Sequence, residues 1–118
     1  MKLSLSELFS AWATPNEEDR EALVRPIVSE DIVYADAHAP MSFTGADAFL
    51  EFLKVFNDNV PDAEVRVIGA TEVHGFTRAT VALSRAGAPL ATVQYFIVAD
   101  DEGRVTRLVG FDGTEDTP

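Results

Sequence analysis

Apolar residues recur at helical spacing near the start of the chain: Leu5, Leu8, Phe9 and Trp12 form one stripe. Ser4-Leu5-Ser6-Glu7 before it has the form of a capping box, in which the Ser4 hydroxyl accepts from a first-turn amide. Thr14-Pro15-Asn16 breaks that helix, and Asn16 is placed to cap a second one. Its first turn carries Glu17, Glu18 and Asp19, which suits the positive end of a helix dipole. Ala22, Leu23 and Ile27 are its expected inner face, and Pro26 ends or kinks it. A strand follows near 31–36, and Ala39 to Thr44 reads as a loop. Phe49, Leu50, Phe52, Leu53, Phe56 and Val60 then give a wide apolar face on a third helix, stopped by Pro61.

The period changes to two in the second half. Val65, Val67, Gly69, Thr71 and Val73 alternate with Glu64, Arg66 and Glu72. His74-Gly75 reads as a hairpin turn, and Ala79, Val81 and Leu83 mark the returning strand. Ala86-Gly87-Ala88-Pro89 turns the chain again. Residues 90–99 are almost uniformly apolar, which predicts a central strand covered on both faces. Asp100-Asp101-Glu102-Gly103 turns it into a last strand from Arg104 to Asp112. The predicted order is α-α-β-α-β-β-β-β. It implies an α+β fold with a curved antiparallel sheet wrapped around helices, leaving a cone with an internal pocket.

Within the first strand, Tyr34, Asp36 and His38 alternate with Val33, Ala35 and Ala37. Residues two apart in a strand point to one face, about 6.5–7 Å apart at the backbone. A phenol, a carboxylate and an imidazole there are either ordinary polar side chains or, inside a pocket, an acid/base set. A carboxylate in an apolar cavity can serve as a general base. Gln94 is the other polar side chain that stands out. An amide in an apolar strand needs a partner, since burying it unpaired costs about 1–3 kcal/mol.

Composition narrows the partners. The 118 residues suit a single domain over 1–118, with a polar, frayed tail at 113–118. A net charge of −11 argues against nucleic acid and anionic membranes, which need clustered cations. There is no cysteine, so disulfides and thiolate chemistry are excluded. No apolar run approaches the roughly 20 residues of a membrane helix, and no signal-peptide pattern opens the chain, so the expected location is the cytoplasm. No metal is expected, because the two histidines, His38 and His74, lack ligand spacing. No phosphate-binding glycine pattern occurs, and no cofactor is expected.

Taken together, Ser29-Glu30-Asp31-Ile32-Val33-Tyr34-Ala35-Asp36, Gly45, the Ala46–Phe56 helix and the Gly103-Arg104-Val105 turn resemble the nuclear transport factor 2-like superfamily. The likeness is to its SnoaL-like polyketide cyclase and ketosteroid isomerase branch, and it covers nearly the whole chain. It implies that Asp36 stands where ketosteroid isomerases keep their general base. Their oxyanion donors are a tyrosine and a protonated aspartic acid. The corresponding positions here resemble Trp12 and Gln94, which are weaker acids. Where SnoaL-like cyclases keep an acid/base aspartate, this chain has Gly110, with Asp112 two residues on.

The reading is thus a small-molecule pocket protein, in one form a cofactor-free isomerase, cyclase or dehydratase using Asp36 and His38. Trp12, Tyr34, Gln94, Phe52, Phe56, Phe96, Leu108, Gly110 and Asp112 are the candidate ligand contacts. The other form is a non-catalytic ligand-binding or dimerisation module. The expected ligand is hydrophobic or carbonyl-containing. With Phe49, Phe52, Phe56, Phe96 and Phe111 expected in the core or cavity wall, an alternate set including Val65, Val67, Val81, Leu83, Val93, Tyr95 and Ile97 is expected on an outer face that pairs two copies as a homodimer.

Overall fold

A computed structural model describes residues 4–37, 39 and 41–112. The elements are α1 (Leu5–Ser10), a 3-10 turn (Ala11–Ala13), α2 (Glu17–Val24), β1 (Val28–Asp36), β2 (Phe43–Thr44), α3 (Ala46–Asn59), β3 (Ala63–Val73), β4 (Phe76–Arg85), β5 (Ala88–Ala99) and β6 (Val105–Asp112). The six strands form one curved, unclosed sheet in the order β2-β1-β6-β5-β4-β3. His38 and the 113–118 tail lie outside the described residues.

The local signals act as their chemistry requires. The Ser4 hydroxyl oxygen accepts from the Glu7 amide at 3.3 Å, and Asn16 Oδ1 accepts from the Asp19 amide at 2.9 Å. Leu8, Phe9 and Trp12 are buried, with Leu5 packed against them. Gly45 starts α3 at φ 104°, a backbone that L side chains rarely adopt, and its amide donates to the Ile32 carbonyl at 2.7 Å. That bond ties the helix start to β1. The β3–β4 turn uses His74 at φ 51° and Gly75 at φ 87°, the paired positive angles of a tight hairpin.

Four expectations need correction. The sheet is mixed rather than antiparallel, because β1 runs parallel to β6, pairing Tyr34 with Leu108 and Asp36 with Gly110. The segment expected as a loop contains β2, which pairs Val33 with Thr44. In α2 the buried positions are Arg20 and Val24, while Ala22 is exposed. The Arg20 guanidinium turns inward and donates to the Thr14 and Pro15 carbonyls at 2.9 and 3.3 Å, so it joins the two helices.

The fourth correction concerns β5. It is central in the sheet but covered on one face only. Val93, Tyr95 and Ile97 point inward and are buried, whereas Phe96 is 40% exposed on the convex face. Its cross-strand neighbours follow the same rule: Val81 faces in opposite Val93, and Ala79 faces in opposite Tyr95. The whole set expected outside therefore lies on the concave side: Val81, Val93, Tyr95 and Ile97 are buried there, and Val65, Val67 and Leu83 pack against the core. Phe111, expected in the core, is 58% exposed on the convex face. The core lies between the concave sheet face, α1, the 3-10 turn and α3.

Candidate functional site

Tyr34 is the pivot of the interior. It is fully buried, and its ring packs on Phe52 and Phe49 with centroids 4.6 and 5.2 Å apart. Its hydroxyl bonds the Asp36 Oδ2 atom on the same strand face. It also bonds the Tyr95 hydroxyl on β5 at 3.1 Å. Asp36 Oδ1 accepts from the Ala39 amide at 2.7 Å, so backbone beyond the strand end holds the carboxylate. The result is a chain of polar groups, Tyr95–Tyr34–Asp36, running through apolar surroundings.

A glycine makes the chain possible. Gly110 of β6 lies between β1 and β5, beside both Asp36 and Tyr95. A Cβ there would stand 2.8 Å from the Tyr95 ring, 3.0 Å from Val93 and 3.1 Å from the Asp36 Cβ. The missing side chain is the space the Tyr95 ring occupies. The expected cyclase-like aspartate position has therefore become a packing position.

Burial raises the Tyr34 phenol well above its ordinary pKa, reinforced by Tyr95 and Asp36. Burial likewise raises Tyr95, though its bond with Tyr34 acts in the opposite direction. Both phenols thus stay neutral, each with one proton to donate. With Asp36 as a carboxylate, which only accepts, the directions are determined. Tyr34 donates to Asp36, and Tyr95 donates to Tyr34.

Asp36 and Tyr95 border an open cleft of about 660 Å³ between α3 and the concave sheet face. Trp12, Phe43, Phe52 and Phe56 supply its aromatic wall, and Val93, Leu83 and Leu90 its sheet side. Trp12 sits 5.9 Å from the Tyr95 ring and 6.4 Å from Phe52. The volume fits a drug-sized organic molecule.

The predicted contacts divide accordingly. Asp36, Trp12, Phe52 and Phe56 border the cleft, and Tyr34 lies directly behind it. Gly110 lies under Tyr95, and Leu108 is fully buried core. Asp112 is exposed at the end of β6, opposite Val93. Gln94 and Phe96 do not belong to this site. They occupy the convex face, where Gln94 Oε1 accepts from the Thr80 hydroxyl at 2.9 Å. Strand alternation alone separates them from Tyr95, the site residue that sequence reasoning missed. Counting across the Ala86-Gly87 turn would pair Val81 with Thr92 and turn Gln94 inward; the register shift between Leu83 and Ser84 pairs Val81 with Val93 instead, and this puts Tyr95 inside.

No protein-family model matches this chain, and no curated protein matches it. Solved structures do. A provisionally assigned isomerase of the SnoaL-like family from Agrobacterium tumefaciens superposes with TM-score 0.82 at 24% identity, over 91% of this chain and 92% of that one. A provisionally assigned polyketide cyclase from Sinorhizobium meliloti gives TM-score 0.67 at 23% identity, over 90% and 91%. A protein of ketosteroid isomerase-like fold from Catenulispora acidiphila, in complex with trimethylamine, gives 0.73 at 14% identity, over 97% and 88%. The chain has the cystatin-like, nuclear transport factor 2-like fold of the SnoaL and ketosteroid isomerase proteins.

Proposed function

We propose that this chain is a small-molecule pocket protein in which Asp36 moves protons on an apolar, carbonyl-containing substrate, in an isomerase, cyclase or dehydratase type of reaction. The observation that carries the reading is the Asp36 carboxylate bordering an aromatic cleft while linked through Tyr34 to Tyr95 in the same cleft. Asp36 would take a proton from the carbon beside the carbonyl, and the electron pair would move onto the carbonyl oxygen. Once protonated, Asp36 can donate to Tyr34. Tyr34 can then donate to Tyr95, and Tyr95 to the new oxyanion. Taking the proton thus converts an acceptor chain into a donor chain aimed at the developing charge. No cofactor is required for such a step.

Exchange of substrate protons with solvent deuterium tests this. Ketones that bind in the cleft are expected to exchange their α-protons with wild-type protein and not with Asp36→Asn. Binding without exchange, unchanged by Asp36→Asn, would instead support a non-catalytic binding module. One observation favours that second reading: both carboxylate oxygens of Asp36 already accept hydrogen bonds.

We also propose that two copies pair through the convex sheet face. Phe76 and Phe96 stack there at 6.0 Å, and Phe111 and Val73 are more than half exposed. The face also carries Arg66, Arg78 and Arg107, which spares it the repulsion expected between two chains of net charge −11. A dimer mass in sedimentation, lost in Phe96→Glu, is the expected result.

A further inference from the structure

We infer that Leu90 and Val55 form an apolar jaw at the far end of the cleft, which selects substrates by the length of an apolar tail. The inference rests on the pocket reading and adds a substrate class: carbonyl compounds that carry an extended apolar tail of about 13 Å, roughly ten carbons.

The first ground is a break in the alternation of β5. Leu90 and Tyr95 are five positions apart, and in an unbroken strand an odd spacing sends two side chains to opposite faces. Both nevertheless border the cleft. The register explains why. Ser84 pairs with Pro89 and Leu83 with Ala91, which leaves Leu90 as an extra residue in β5. A bulge of this kind re-aims a side chain. Here it lets one strand present Tyr95 at one end of the cleft and Leu90 at the other.

The second ground is the layout of the walls. Asp36, Gly110 and Tyr95 lie in one row across the sheet. From that row β5 runs four residues to Ala91, about 13 Å. The helix gives nearly the same length: from Phe52, which packs on Tyr34, to Val60 is eight residues, about 12 Å. At the far end the sheet wall is Leu83, Leu90 and Ala91. The helix wall there is Val55, Phe56 and Val60, with Asn59 exposed at its edge. The polar pair Asp36 and Tyr95 thus marks one end, and an apolar surface the other.

The third ground is exposure. Leu90 is 50% and Val55 48% exposed, on opposite walls of the same cleft. Their apolar surface leaves water when an apolar tail lies between them. Each tail methylene buried there strengthens binding about two- to fourfold.

The test measures the binding of methyl ketones, from 2-butanone to 2-dodecanone, to the intact chain by ligand-detected NMR. Affinity is expected to rise about two- to fourfold per methylene as far as 2-decanone and to level off beyond it. Leu90→Asn is expected to weaken 2-decanone at least about fivefold and to leave 2-butanone unchanged. Val55→Asn, on a different element, is expected to do the same; both positions are about half exposed, so the fold should tolerate either change. Affinity still climbing at the same rate past 2-decanone, or both variants keeping the full gain per methylene, would overturn the jaw and leave the pocket reading standing. An equal loss for 2-butanone and 2-decanone would also overturn it, because that marks a structural role. No binding of any ketone by the wild-type chain would overturn both.

Discussion

Raising the pH above the ordinary phenol range should unfold this protein by a route that its structure makes visible. The chain has two tyrosines, and both lie in the buried network. Its only lysines are Lys2 and Lys54, so few other side chains titrate in the same range. Burial raises both phenols in the folded state. Below about pH 10 the folded and unfolded chains both hold these two protons, and the phenols contribute no pH dependence. Above it the unfolded chain releases two protons that the folded chain keeps. The folded state then binds more protons, so stability must fall as pH rises. Each group contributes about 1.4 kcal/mol per pH unit, and two give a slope approaching about 2.7 kcal/mol per unit. A domain of about 5 kcal/mol stability would therefore unfold near pH 12. The assay follows tyrosinate absorbance and far-ultraviolet circular dichroism together through a stepwise alkaline titration. Both signals should move in one transition, because neither phenol ionises while the fold is intact. In Tyr34→Phe the slope should halve to about 1.4 kcal/mol per unit. Tyrosinate forming with a midpoint near 10 while the dichroism stays native would refute the buried network and everything derived from its proton directions.

Two further outcomes follow from the same contacts. Tyr34→Phe at neutral pH should cost about 2–4 kcal/mol in urea unfolding, since it strips a partner from both the buried Tyr95 hydroxyl and Asp36; an unchanged midpoint would mean the network stabilises nothing. Gly110→Ala should cost about 1–3 kcal/mol by crowding the Tyr95 ring, and pairing it with Tyr95→Ala in a double-mutant cycle should recover most of that loss.

Much of this architecture was written locally. Capping side chains at Ser4 and Asn16, the apolar face of α3 and the His74-Gly75 turn all act over a few residues, and each stands where the local pattern placed it. Such signals depend on helix periodicity, hydrogen bonds to nearby amides and allowed backbone angles, which neighbours in sequence decide. Asp36 was also legible as a candidate, because a carboxylate among small apolar strand residues stands out, whereas Trp12 became one through the family resemblance and its helix stripe by itself marked it as core.

The rest required the folded sheet. A run as apolar as 90–99 carries no alternation from which to tell inside from outside, so Gln94 and Phe96 were assigned to the face that Tyr95 and Val93 occupy. The parallel pairing of β1 with β6 joins residues more than seventy positions apart, and no local period encodes a partner at that distance. Tyr95 reaches Tyr34 only because β6 puts Gly110 between their strands, leaving the volume of a side chain empty. Sequence alone determined most of the elements, all but the short β2, and which groups can do chemistry. Tertiary structure decided which of those groups meet, because register and facing are set by packing across the whole sheet.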